Sequence, residues 1–187
     1  MNQIDYKICF VCTGNACRSP FAECVTKVLL DKEGLKNIEV YSCGTLDWGE
    51  NPRDEGMRYV AKQMGYELTG VTTPMTNDLL KKADAIIVDE TSMVDIELLY
   101  CLFCAIRPGT RLILVGDPDQ LPPVGPGFPF NDMLRAQTLP TVRLTEVFRQ
   151  AMESKIIINA HKIVRGETPD LTNDGKDFFH LERGTAS

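Results

Sequence analysis

YKICFVCTGNACRSP, residues 6–20, is the stretch whose reading decides the fold. YKICFVC is a nearly continuous apolar run of strand length, the pattern of a strand buried on both faces of a parallel sheet. SPFAECVTKVLLDKEG, ending at Gly34, then spaces its apolar residues as an amphipathic helix. The loop between them sits where a strand's carboxyl end meets a helix N-terminus. Backbone N–H groups there converge on an anion. The same field favours a thiolate over a thiol, which makes Cys12 a candidate nucleophile. Arg18 is placed to fold back and grip two phosphate oxygens in a fork. Ser19 can donate a hydrogen bond to the cysteine sulfur and help it depart. Gly14 and Asn15 are residue types that tolerate the left-handed backbone of a tight cradle. The candidate phosphate-binding set is therefore Thr13, Gly14, Asn15, Ala16, Cys17 and Arg18.

Outward from this loop, strands and helices alternate. IEVYSCG (38–44), ADAIIVDE (83–90) and TRLILVGD (110–117) read as further strands. Helices are expected at 51–65, 76–83, 92–106 and 154–166, with a short one after the proline- and glycine-rich loop PDQLPPVGPGFPF and a fifth strand at TVRLTEVF, 141–148. This order predicts an α/β three-layer sandwich with a mostly parallel central sheet, Rossmann-like or P-loop-like. One domain is expected over 1–187, built from halves 1–88 and 89–183, with 184–187 as a tail.

A net charge of −6 and a pI near 5.0 argue against holding nucleic acid by overall charge. No apolar run reaches the ~18 residues of a membrane span, and no leader pattern is present, so a cytoplasmic protein is expected. Seven cysteines, an odd number, fit free thiols in that compartment. Cys101 and Cys104 have zinc-like spacing but no second pair, and their apolar surroundings predict a core-facing helix. His161 and His180 have no triad-like or metal-like partners nearby in sequence. No cofactor is expected, and the oligomeric state is not legible.

The loop matches in full the signature V-C-x-G-N-x-C-R-S-P of the low-molecular-weight protein tyrosine phosphatases. The chain resembles that family to about residue 88, through SCGT at 42–45, Trp48, Gly49, Pro52, Asp54 and TTPMTNDLLKKADAIIV. The resemblance implies that Cys12 is the nucleophile, Arg18 binds phosphate, Asn15 holds the loop and Ser19 assists the thiolate. It also implies that Cys17 can form a protective disulfide with Cys12. Ala16 stands where a larger apolar residue, or threonine in the arginine-phosphatase branch, is common, and it leaves the phospho-amino-acid preference open.

From residue 86 the text changes. IIVDETSM ends a strand in Asp89-Glu90, an acidic pair of the type that holds Mg²⁺ in P-loop ATPases, so both are weak metal candidates. LILVGDPDQLPPVGPG (112–127) and VRLTEVFRQ (142–150) follow, and the chain resembles RecD-like DNA helicases to about residue 183. That resemblance implies metal and water handling by Asp89 and Glu90, and phosphate sensing by Gln120 and Arg149. The G-x-x-x-x-G-K-[ST] loop of a nucleotide motor is missing from the sequence, whose single GK is Gly175-Lys176. ATP-driven unwinding is not expected. The chain reads as a chimera joined within the shared strand ADAIIV.

Phosphomonoester cleavage also needs a proton donor for the departing oxygen. The phosphatases carry it as Asp-Pro in a late loop, and that segment is replaced here. Asp117-Pro118, after the fourth strand, offers a candidate acid, with Asp119 weaker; a coincidental match inherited from the helicase motif is the alternative. The fourth strand either inserts beside the first, as in RecA-like sheets, or adds at the edge, as in the phosphatases. Three readings stand at this point: a cysteine-dependent phosphatase acting on a phosphomonoester, a folded chimera whose loop holds phosphate or sulfate without turnover, and a remnant nucleotide- or DNA-binding module.

Overall fold

A computed structural model describes residues 4–144, 154–173 and 176–181. The chain divides into two compact units, Met1–Leu139 and Pro140–Ser187, where the sequence alone suggests one domain.

The first unit holds a four-stranded parallel sheet: β1 (Tyr6–Cys12), β2 (Ile38–Gly44), β3 (Ala85–Val88) and β4 (Arg111–Leu114) in the order β2-β1-β3-β4. Register is fixed along the central strand, with Val11 opposite Cys43 of β2 and Val88 of β3. Successive residues of a strand face opposite sides of the sheet. Cys9, Val11, Cys43, Ile86 and Val88 therefore share one face. They form the core with Leu80 of α3 (Asn77–Lys81) and Leu99, Leu102 and Ala105 of α4 (Ile96–Ala105). The opposite face receives α1 (Arg18–Lys32), tied to β2 where Ser42 Oγ donates to Glu23 Oε2 at 2.6 Å. The α2 helix (Glu55–Gln63) starts at a cap, Asp54, whose carboxylate accepts the Met57 N–H at 2.8 Å. The α5 helix (Pro129–Ala136) begins with proline in its first turn, where the missing N–H has no intrahelical acceptor to lose.

The fold is thus α/β with helices on both sheet faces. Strands 6–12 and 38–44 lie where the apolar runs place them. Two expectations are corrected. The helix expected from Ser92 starts at Ile96 instead, because Asp95 Oδ1 captures the Leu98 N–H at 2.8 Å and residues 91–93 form a separate 3-10 turn. That helix is core-facing as expected, through Leu99, Leu102 and Ala105, while Cys101 and Cys104 are exposed. The fifth strand does not form over 141–144, and 145–148 lie outside the described residues.

In the second unit, α6 (Lys155–Val164) is capped by Ser154, whose Oγ accepts the Ile157 N–H at 3.4 Å. Asn159, buried on this helix, clasps the backbone of Asp170 with two hydrogen bonds of 2.8 Å. Lys155 pairs with the Asp170 carboxylate at 2.9 Å. Among the described residues no helix is long and apolar enough to cross a membrane.

Because Ile86 is fully buried at the centre of the sheet, Ile86→Ala should destabilise the first unit by about 2–5 kcal/mol. Urea unfolding followed by circular dichroism checks this, with the midpoint falling at an unchanged slope.

Candidate active site

The last residue of β1 is Cys12, 3% exposed, and the chain then turns sharply before α1 begins at Arg18. Asn15 makes that turn, with a φ of 50° in the left-handed region. Its side chain is fully buried and fully used. The Nδ2 donates to Ser19 Oγ at 2.9 Å and to Ser42 Oγ at 2.8 Å, while Oδ1 accepts the Thr73 N–H at 2.8 Å and Arg53 Nη1 at 2.5 Å. Arg53 Nη1 also donates to the Asn15 main-chain carbonyl.

Ser19 Oγ lies 3.0 Å from Cys12 Sγ. A hydroxyl has one hydrogen, and the Asn15 amide already donates to this oxygen, so Ser19 has its own proton to give. The sulfur at 3.0 Å is nearer than the alternative acceptor, the Cys43 carbonyl at 3.4 Å. Ser19 is thereby oriented to stabilise a charged Cys12.

The loop's main chain is packed too tightly for side chains. A Cβ on Gly44 would come within 2.9 Å of Asn15 N and Gly14 C, and one on Gly14 would enter the Trp48 ring at 2.4 Å. Carbonyls of the loop are spoken for: Thr45 N–H donates to Cys12 O at 3.0 Å, Leu46 N–H to Thr13 O at 2.9 Å and Asp54 N–H to Ala16 O at 3.1 Å. Among the described residues, no protein acceptor takes the N–H groups of Gly14, Asn15, Ala16 or Cys17. A loop with most of its carbonyls engaged and these donors without a protein acceptor among the described residues has the arrangement that suits an anion.

Arg18 pairs with Asp89 at 3.2 Å and more closely with Glu90. Both carboxylates follow β3, which lies beside β1, and Asp89 N–H donates to Val11 O at 2.9 Å. Glu90 has a φ of 59°, so the chain turns left-handed immediately after the strand. The two residues singled out in sequence as metal candidates thus pair with Arg18. Among the described residues no group of three or more His, Cys, Asp or Glu could hold a metal ion.

Asp117 is not on a strand beside β1, because β4 pairs with β3 at the sheet edge. Of the two placements that the sequence left open, the structure has the fourth strand at the edge. Asp117 Oδ1 accepts the Asp119 N–H at 3.0 Å and so shapes its own turn. That turn is stitched to the one bearing Glu90: Thr91 N–H donates to Val115 O at 2.9 Å, and Ser92 Oγ to Gln120 Oε1 at 3.2 Å. Gln120 is thereby engaged by Ser92, and Arg149 lies outside the described residues.

Burial, with Asp54 beside it, pushes the Cys17 thiol up from its ordinary range. The Cys9 thiol is raised by its hydrogen bond to Cys43, 3.7 Å away, and by burial. Sequence reading missed Arg53, Ser42, Glu23 and the Thr73 amide. None belongs to the loop motif; Ser42 and Thr73 lie in segments that carry the phosphatase resemblance and Arg53 lies between Pro52 and Asp54, but no pattern assigned them a contact with the loop.

Gly44→Ala should cost about 1–3 kcal/mol of stability, since its methyl meets backbone atoms that cannot swing aside. Thermal melts compared with Gly34→Ala would check this. Gly34 has open space around it but a φ of 73°, so its cost is conformational only.

Comparison with known proteins finds two similarities in this chain, and the helicase-side family model reaches back into the segment that resembles the phosphatases. The family model described as an AAA domain matches residues 52–182. The ATP-dependent RecD2 DNA helicase of Deinococcus radiodurans is 49% identical over 86 residues, covering 46% of this chain and 12% of the helicase. The low-molecular-weight protein-tyrosine-phosphatase of Streptomyces coelicolor is 36% identical over 87 residues, covering 44% of this chain and 51% of the phosphatase. The chain therefore spans about half the length of that phosphatase and a small part of the helicase. Among solved structures, DARP, an arginine phosphatase of Drosophila, superposes with a TM-score of 0.50 at 26% identity over 58% of this chain and 69% of that one. The chain has two parts, one similar to these phosphatases and one similar to RecD.

Proposed function

The chain belongs to the AAA domain family over residues 52–182, yet its anion loop is of the phosphatase kind, and from these premises we propose that it is a cysteine-dependent phosphatase acting on phosphomonoesters. The observation that carries this reading is the loop itself: Cys12 beside Ser19, followed by four N–H groups with no protein acceptor among the described residues. The phosphate dianion sits on these donors and on Arg18, and inorganic phosphate or sulfate takes the same place. Cys12 Sγ attacks phosphorus in line and forms an S–P bond as the bond to the leaving oxygen breaks. Asp117 gives its proton to that oxygen, then takes one from the water that attacks the phosphocysteine and releases inorganic phosphate and free Cys12.

Several features support the assignment of Asp117. It precedes proline after the edge strand of a sheet ordered β2-β1-β3-β4, the edge placement expected of the phosphatases, and its turn is bound to the turn that carries Glu90. A reducing cytoplasm keeps Cys12 as the free thiol this chemistry needs. A phosphate-sensing or unwinding role has no comparable support, because the sequence lacks the Gly-Lys loop that wraps nucleotide phosphates.

Hydrolysis of p-nitrophenyl phosphate is expected from the full chain and should vanish in Cys12→Ser. Asp117→Asn should lower turnover by about 10²–10⁴-fold while leaving phosphocysteine formation detectable by mass. Absence of both turnover and phosphocysteine in the unmodified chain would sink the proposal.

Arg18 must turn from its two carboxylates to phosphate when the loop fills. Glu90→Gln removes the closer competitor and should tighten inorganic phosphate binding by about three- to tenfold, read from phosphate protection of Cys12 against alkylation.

A further inference from the structure

Arg53 belongs to no recognised motif, lies outside the loop, and is 8% exposed. A buried guanidinium is costly unless its charge and donors are used. Nη1 is used on both oxygens of one residue, the Asn15 carbonyl and Asn15 Oδ1. Nε is buried without a hydrogen-bond partner among the described residues, which is unfavourable. Burial lowers the guanidinium's affinity for its proton, and the negative charges at Glu23 and Cys12 raise it. Glu23 is itself engaged by Ser42 and Lys27. A cation kept at this cost, within the field of Cys12 and fastened to the left-handed residue of the loop, needs a role beyond packing.

Geometry supplies one. In a planar trans peptide the carbonyl of one residue and the N–H of the next point in opposite directions. Holding the Asn15 carbonyl towards Arg53 directs the Ala16 N–H away from it, and that N–H is among the donors left free. We propose that Arg53 is a positioning residue of the phosphate loop, which clamps Asn15, orients the Ala16 N–H, and adds a fixed buried positive charge to the field at Cys12. The proposal rests on the phosphate-cradle reading above and deepens it. The chain then carries two arginines with divided tasks: exposed Arg18 takes the ligand, while buried Arg53 holds the loop that Arg18 closes.

The test compares alkylation of Cys12 by a neutral reagent, iodoacetamide, and an anionic one, iodoacetate. It uses the full chain and reads the Cys12 peptide by mass, with inorganic phosphate as competitor. Distortion of the loop alone slows both reagents alike, whereas a lost positive charge slows iodoacetate selectively. In Arg53→Met the iodoacetate-to-iodoacetamide rate ratio should fall about threefold or more, and phosphate protection should need about tenfold more phosphate. In Arg53→Lys, which restores charge and donors, the ratio should return to within about twofold of the parent. If phosphate does not protect Cys12 in the parent chain, the cradle reading fails and takes this one with it. If the parent is protected and Arg53→Met keeps both the ratio and the phosphate dependence, the role of Arg53 alone is overturned. Should Arg53→Met lose its cooperative thermal transition, Arg53→Gln is read against Arg53→Lys, and equal ratios in the two overturn the proposal.

Discussion

The side chain of Asn15 is the point on which the site depends. A residue in the left-handed region is held there only if its surroundings over-determine it. Here a serine of α1, a serine of β2, the amide of Thr73 and the guanidinium of Arg53 all bond to one fully buried amide group. Each such bond contributes only about 0.5–1.5 kcal/mol net, but leaving any of these buried groups unpaired costs more than the bond is worth. The network therefore behaves as a unit, and it fixes the loop before any ligand arrives.

The second dependence is on the sheet order. With β1 flanked by β2 and β3, the exits of three strands converge: Cys12 from β1, Gly44 from β2 and Asp89-Glu90 from β3. Gly44 is small because the loop's backbone lies against it. The β3 exit supplies the carboxylates that hold Arg18, and its 3-10 turn takes up the exit of β4. This lets a chain with two family resemblances keep a coherent site, because parallel strands ending at one sheet edge bring their exit loops together.

Much of this was legible in the sequence because it is local. The apolar runs of β1 and β2 end within the quoted segments, and the loop motif carries its nucleophile, arginine and serine within a few residues. The start of α4 was misjudged because apolar spacing extends through Ser92, whereas the helix starts where Asp95 caps it. The same segment shows that α4 faces the core but not that Leu99 and Leu102, rather than Cys101 and Cys104, line the buried stripe, because a helix apolar on every side does not reveal which stripe that is.

By itself the sequence determined the α/β class and the place of the loop between β1 and α1, since strand length, helix spacing and loop composition are properties of neighbouring residues. Only the tertiary structure decided that β4 lies at the edge, that Arg18 faces Asp89 and Glu90, and that Arg53 grips Asn15. These are contacts between residues far apart in the chain. Such contacts follow from which strands pair and which buried polar groups need partners, and no local pattern encodes either.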